Sequence, residues 1–140
     1  MRNKFEDSKN ALEFIKGGNA TFTICSAKNR YTYKVIKTHF DESKYFVMLL
    51  TGSDNNNDFS YVGMLFPNRD KITLTTKSVM TDQSLPVVAF NYTYKRLLNG
   101  YIPKGVSIYH EGRCGSCGRK LTVPESIESG FGPHCLSKLG

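Results

Sequence analysis

Three of the four cysteines in this chain lie beyond His110, and their spacing is that of a metal site. Cys114 and Cys117 form a C-x2-C pair with Gly115 and Gly118 beside it. At that spacing a glycine-permitted turn points two thiolates, and several backbone N–H groups, at one tetrahedral ion. Cys135 follows after seventeen intervening residues, two positions behind Pro133. Proline suits the first position of a short helix, which would put Cys135 in a first turn where the helix dipole favours a thiolate. Two histidines compete for the fourth position. His134 adjoins Cys135, and neighbours on a helix diverge by about 100°, a poor geometry for chelating one ion. His110 ends an apparent strand over 106–110 and stands four residues before Cys114, close to ordinary zinc-ligand spacing. The expected ligands of one structural Zn2+ are therefore Cys114, Cys117, Cys135 and His110, with His134 as the alternative. An open position or a ligand such as Cys25 is a further option. A disulfide across C-x-x-C would suggest an oxidoreductase, but the βαβ setting of such motifs is absent. A tail of this length also buries too little apolar surface to fold without a staple.

No catalytic constellation accompanies the cysteines, and an enzyme is not expected. His39 has no nucleophile pattern near it, and neither G-x-S-x-G nor a phosphate-binding glycine loop occurs. Glu111 beside His110 is superficially like the H-x-E of zinc deaminases. Those enzymes pair it with a distant P-C-x-x-C, whereas here the C-x-x-C begins three residues later and has no preceding proline. The oxygen-rich stretch 52–58 fails the calcium-loop pattern, since Phe59 and Leu65 fall where Gly and Glu are required.

The tail resembles the C-terminal signature of small proteins of unknown function found in bacteriophages and in bacteria, H-x3-C-x2-C-G-R-x-L-T-x-P-x-S-I-x-x-G-x-G-P-x-C. Here it reads His110, Cys114, Cys117, Gly118, Arg119, Leu121, Thr122, Pro124, Ser126, Ile127, Gly130, Gly132, Pro133 and Cys135. The match covers about the last quarter of the chain; residues 20–66 are similar to the strand-rich part of the same proteins through much weaker motifs. The resemblance implies a treble-clef-like zinc site and a viral origin, and carries no activity with it. It also implies a second kind of role, because small phage proteins often block a host enzyme or defence complex.

The elements that must hold such a site are legible from periodicity. Asp7 or Ser8 caps a short helix with Ala11, Leu12 and Ile15 apolar and Phe14 at its edge, stopped by Gly17-Gly18. The period then becomes alternating, giving strands at 21–25 and 31–38 joined as a hairpin, with Phe22 and Ile24 buried. Tyr31, Tyr33 and Val35 share one side of the return strand. An apolar run at 45–50 suits a central strand, and 61–66 pairs with 72–76 across a Pro-Asn turn. Ser84, Leu85 and Pro86 open a helix to about residue 98, where Val87, Phe90, Tyr94 and Leu97 form one stripe meant for the sheet. A last strand over 101–109 runs straight into the cysteine knuckle. The expected class is α+β: an antiparallel sheet of about five or six strands with one main helix. Residues 1–109 make this domain, and 110–140 make a zinc-stapled module docked on it.

The chain carries a net charge of +7 and has nine Phe, eight Tyr and no Trp. Up to residue 110 there are fifteen Lys and Arg against nine Asp and Glu; beyond it, four against three. No apolar stretch is long enough for a membrane span or a signal peptide, which points to a cytoplasmic protein, in the infected host cell if the viral origin holds. A basic balance favours an acidic partner, nucleic acid first. The candidate contacts are Lys28, Arg30, Lys34 and Lys37 on the aromatic hairpin and Arg113, Arg119 and Lys120 on the knuckle. Cations among aromatics suit single strands, whose bases stack while phosphates meet charge. One weakness is parity: if Tyr31 and Tyr33 face the core, Lys34 is left outside with no aromatic neighbour. The alternative partner is a host protein.

Overall fold

The computed structural model describes residues 3–54, 57–121, 127 and 129–132. Seven elements follow in order: α1 (Ser8–Ile15), β1 (Asn19–Cys25), β2 (Arg30–Lys37), β3 (Tyr45–Leu50), β4 (Phe59–Leu65), α2 (Leu85–Leu98) and β5 (Ser107–His110). The strands form one five-stranded sheet in the order β4-β3-β2-β1-β5, antiparallel throughout. The first four make the meander expected from the alternating sequence. α2 then carries the chain across the sheet, so that β5 returns on the free side of β1. Residues 3–5 line the outer edge of β5, with Lys4 bridging Tyr109 and the Phe5 amide donating to the Ile108 carbonyl at 2.9 Å.

Register decides which side chains enter the core. Phe22 stands opposite Tyr33 and His110, Ile24 opposite Ile108, and Val35 opposite Val47, and all of these are buried. Against this face lies α2, with Val87, Phe90, Tyr94 and Leu97 buried as its three-and-four spacing predicts. Phe90 meets Tyr33 edge-on at 5.2 Å and stacks with Tyr94 at 5.6 Å. The Tyr33 hydroxyl donates to the Pro86 carbonyl at 2.6 Å, so this buried phenol is satisfied. Burial pushes the pKa of Tyr33 far up, and that of Tyr94 to about 12.

Three expectations change. The last strand, expected over 101–109, is confined to Ser107–His110. Residues 72–76 do not form a strand; only Thr73 bridges, to Met64. The Ile72 amide is taken by the Asn91 side chain of α2 at 2.8 Å, and the Ser78 hydroxyl takes the Thr75 amide at 2.8 Å. The ladder therefore ends after one residue, and the segment passes over the edge of β4 toward α2. In α1, Asp7 is the cap, accepting the Asn10 amide at 3.0 Å. The buried face of α1 is Ala11, Phe14 and Ile15, while Leu12 is half-buried. Phe14 moves from the expected edge to the centre because the C-terminal module packs on it. No helix among the described residues is long and apolar enough to cross a membrane.

Candidate functional site

The knuckle is built on backbone geometry. After β5, Gly112 and Gly118 take positive φ, and Arg113 bridges Lys120, so the C-x2-C pair sits at the tip of a short two-stranded turn. The Cys114 amide donates to the Arg119 carbonyl at 2.8 Å, and the Gly118 amide to the Cys114 carbonyl at 3.0 Å. Sγ of Cys114 accepts the amides of Ser116 at 3.4 Å and Cys117 at 3.5 Å. Burial opposes ionisation of the Cys114 thiol. The amides of Cys117, Gly132 and Ser116, together with the Cys117 side chain, outweigh it and bring the pKa from 9.0 down to about 7. A sulfur held by converging N–H donors suits a thiolate ligand, so Cys114 and the exposed Cys117 fit a soft divalent ion such as zinc. Cys135 and His134 lie outside the described residues. Gly132, whose amide reaches Cys114, stands three positions before Cys135 in the sequence.

His110 stands in a buried aromatic cage. Its ring is 1% exposed and caged by Phe5 and Phe14, each with its centroid 5.6 Å away. Nδ1 accepts the Gly112 amide at 3.0 Å, and Nε2 donates to the Ile127 carbonyl. Desolvation lowers its pKa, against smaller upward effects from the Ile127 bond and Glu111. Both ring nitrogens thus have protein partners, and among the described residues no group of three His, Cys, Asp or Glu side chains is placed to hold a metal. Through these two bonds the ring joins β5 to the tail. Cys25, half-buried at the end of β1, pairs in the ladder with Arg30 and Ser107, away from the knuckle.

Gly115, Gly130 and Phe131 pack against α1 and the start of β1. The Asn19 amide donates to the Gly115 carbonyl and the Gly115 amide to the Gly130 carbonyl, both at 2.8 Å. Phe131 is buried, and its ring meets Phe14 at 5.9 Å. Gly130 has φ +81°, and a Cβ there would lie 2.5 Å from the Phe14 ring, so only glycine fits.

The second candidate surface is the sheet face opposite the helices. Lys34 stands opposite Met48 and Thr21, and Met48 opposite Tyr61. One half of this face is apolar: Phe46 contacts Tyr61 at 6.2 Å and Phe40 at 6.3 Å, and Phe40 is 70% exposed. The other half is polar, with Thr21, Thr23 and Thr32 leading to Glu111 and Arg113. Lys34 bridges the halves, its Nζ 4.5 Å from the centre of the Phe59 ring. The aromatic neighbour that the hairpin could not supply thus comes from β4, two strands away. Tyr31 and Tyr33 do face the helix side, where Tyr33 is buried.

The predicted cations divide accordingly. Lys34 and Arg113 line one cavity of about 320 Å³ with Thr21, Thr32, Leu50, Phe59 and Glu111. Arg30 is exposed and shares the alternation of Thr32 and Lys34; Lys28 is exposed in the hairpin turn. Lys37 alternates to the other side and packs near Gly18. Arg119 and Lys120 are exposed on the knuckle, beside Arg113.

Compared with known proteins, no curated protein and no solved structure matches the chain. Residues 107–140, from β5 through the knuckle to the end, are similar to a family of unknown function, DUF6011.

Proposed function

We propose that this protein binds single-stranded nucleic acid on its open sheet face, and that one structural Zn2+ staples the adjoining tail. The observation that carries the reading is the pairing of Lys34 with Phe59 on a face whose apolar half holds Phe46 and Tyr61 and whose polar half holds Arg113. Bases stack on aromatic rings without regard to sequence, and phosphates meet the interleaved cations. The net charge of +7 adds long-range attraction for a polyanion. Zinc would be held by Cys114, Cys117 and Cys135, and bound there it supplies folding energy and no chemistry. In this reading the chain is a phage-type accessory protein working in the cytoplasm of the infected host cell, in keeping with the proteins its tail resembles. Titration of labelled oligothymidine at rising salt tests it: affinity should fall with a log–log slope of about −0.7 per phosphate contact. Lys34→Gln and Arg113→Gln should each flatten that slope. No binding at low salt would overturn the proposal.

A second reading, a host protein bound and inhibited, is favoured by one observation. Leu85, Val88 and Tyr92 leave an apolar stripe on the outer side of α2, 60%, 47% and 46% exposed, beside a cleft of about 240 Å³. Exposed stripes of this kind mark protein contacts. A nuclease-resistant protein partner, lost on Val88→Glu, would favour it over the first.

A further inference from the structure

Glu111 is out of place on a surface meant only for phosphates. It lines the same cavity as Lys34 and Arg113, yet among the described residues no ion pair ties it to either. Its carboxylate is positioned by hydroxyls instead. The Thr23 hydroxyl donates to Oε2 at 3.2 Å, and Thr23 and Thr32 hydroxyls are 2.7 Å apart. A hydroxyl has one proton, so Thr32 must donate to Thr23 while Thr23 donates to Glu111. Thr23 is fully buried, which fixes the middle of this relay. The result is an oriented acceptor, facing a cavity whose other polar groups include two cationic donors.

We propose that this cavity selects guanine within a bound single strand; the inference rests on the nucleic-acid reading above. A carboxylate offers only acceptors, and guanine alone among the bases presents two adjacent N–H donors, N1 and N2, on its pairing edge. Thymine and uracil bring one donor between two carbonyls that repel a carboxylate. Adenine and cytosine bring one amino group beside an acceptor nitrogen. Guanine also carries O6 and N7 acceptors, the atoms that Lys and Arg side chains contact most often. Lys34 and Arg113 stand in the same cavity as Glu111, so donors and acceptors of one base find opposite partners there. Leu50 and Phe59 supply apolar wall for the base plane, and a volume of about 320 Å³ is at the small end of ligand pockets.

The test compares a short oligothymidine with the same strand carrying one central guanine, inosine, adenine or cytosine, by fluorescence anisotropy on the full chain. Guanine should tighten binding by about tenfold, the scale of one good bidentate contact. Inosine, which lacks the N2 amino group, should lose much of that gain. Glu111→Gln should bring the guanine and thymine strands to equal affinity, and Thr23→Val should narrow the gap between them. Because each result is a ratio measured on one protein, partial loss of folded material does not mimic it. Equal affinity for every base, or a guanine preference that survives Glu111→Gln, overturns the inference and leaves the sheet-face reading intact. Failure of every strand to bind overturns both.

Discussion

The Gly112 amide donates to Nδ1 of His110 at 3.0 Å, and that bond fixes where the ring can carry its proton. An N–H can only donate, so Nδ1 is bare, and Nε2 holds the proton that goes to the Ile127 carbonyl. A second proton on Nδ1 would face the Gly112 N–H, and burial already disfavours the charged ring. The folded pKa is therefore below the unfolded value of 6.5, and the unfolded chain takes up protons first. Stability from this site is present above 6.5 and is lost as pH falls through the lower folded pKa. Long-range 1H–15N spectra should show the Nε2–H tautomer at neutral pH and a midpoint below 6.5. An Nδ1–H ring, or a midpoint above 6.5, would refute this assignment.

Metal analysis of protein purified without added zinc should find about one equivalent, lost on Cys114→Ser, Cys117→Ser or Cys135→Ser. Closed sites of this type contribute on the order of 10–16 kcal/mol in peptides, so chelator should release the tail from α1. Since both nitrogens of His110 are engaged, His134→Ala should lower zinc retention more than His110→Asn does. The opposite order would return His110 to the ligand set. A chain that holds no metal and stays folded in chelator would remove the zinc altogether.

Gly130→Ala should destabilise the docked tail by about 1–3 kcal/mol, the range for forcing extra atoms into packed space. The new methyl would press on the Phe14 ring at a positive φ. Amide exchange should speed up in α1 and the knuckle and stay slow in β2 and β3. A neutral result would mean that Phe14 and the tail do not share one core.

Phe90→Ala should cost about 3–5 kcal/mol in urea unfolding, because its ring fills the centre of the layer between α2 and the sheet. A near-neutral change would make that stripe of α2 a surface instead of core.

The sequence alone determined the element types and their buried faces wherever a period was long and clean. Alternation at 21–25 and 31–38 fixed a hairpin, and the stripe Val87, Phe90, Tyr94, Leu97 fixed the face of α2, because both signals come from neighbours along one element. The C-x2-C spacing likewise brought Cys114 and Cys117 together, since a turn of this length closes locally. What the chain could not declare were pairings between distant segments. Phe14 reads as a helix-edge residue until Gly115, Gly130 and Phe131, more than a hundred positions away, cover it. His110 has ligand spacing, but the Gly112 amide and Ile127 carbonyl that occupy its ring are set by the way the tail folds back. Residues 72–76 have a strand pattern, yet the Asn91 side chain on α2 takes the amide of Ile72. Lys34 found its aromatic partner two strands over, in Phe59. Each of these was decided by tertiary structure, because a hydrogen bond or ring contact across the fold outweighs a local preference worth only a fraction of a kcal/mol to about 1 kcal/mol per residue.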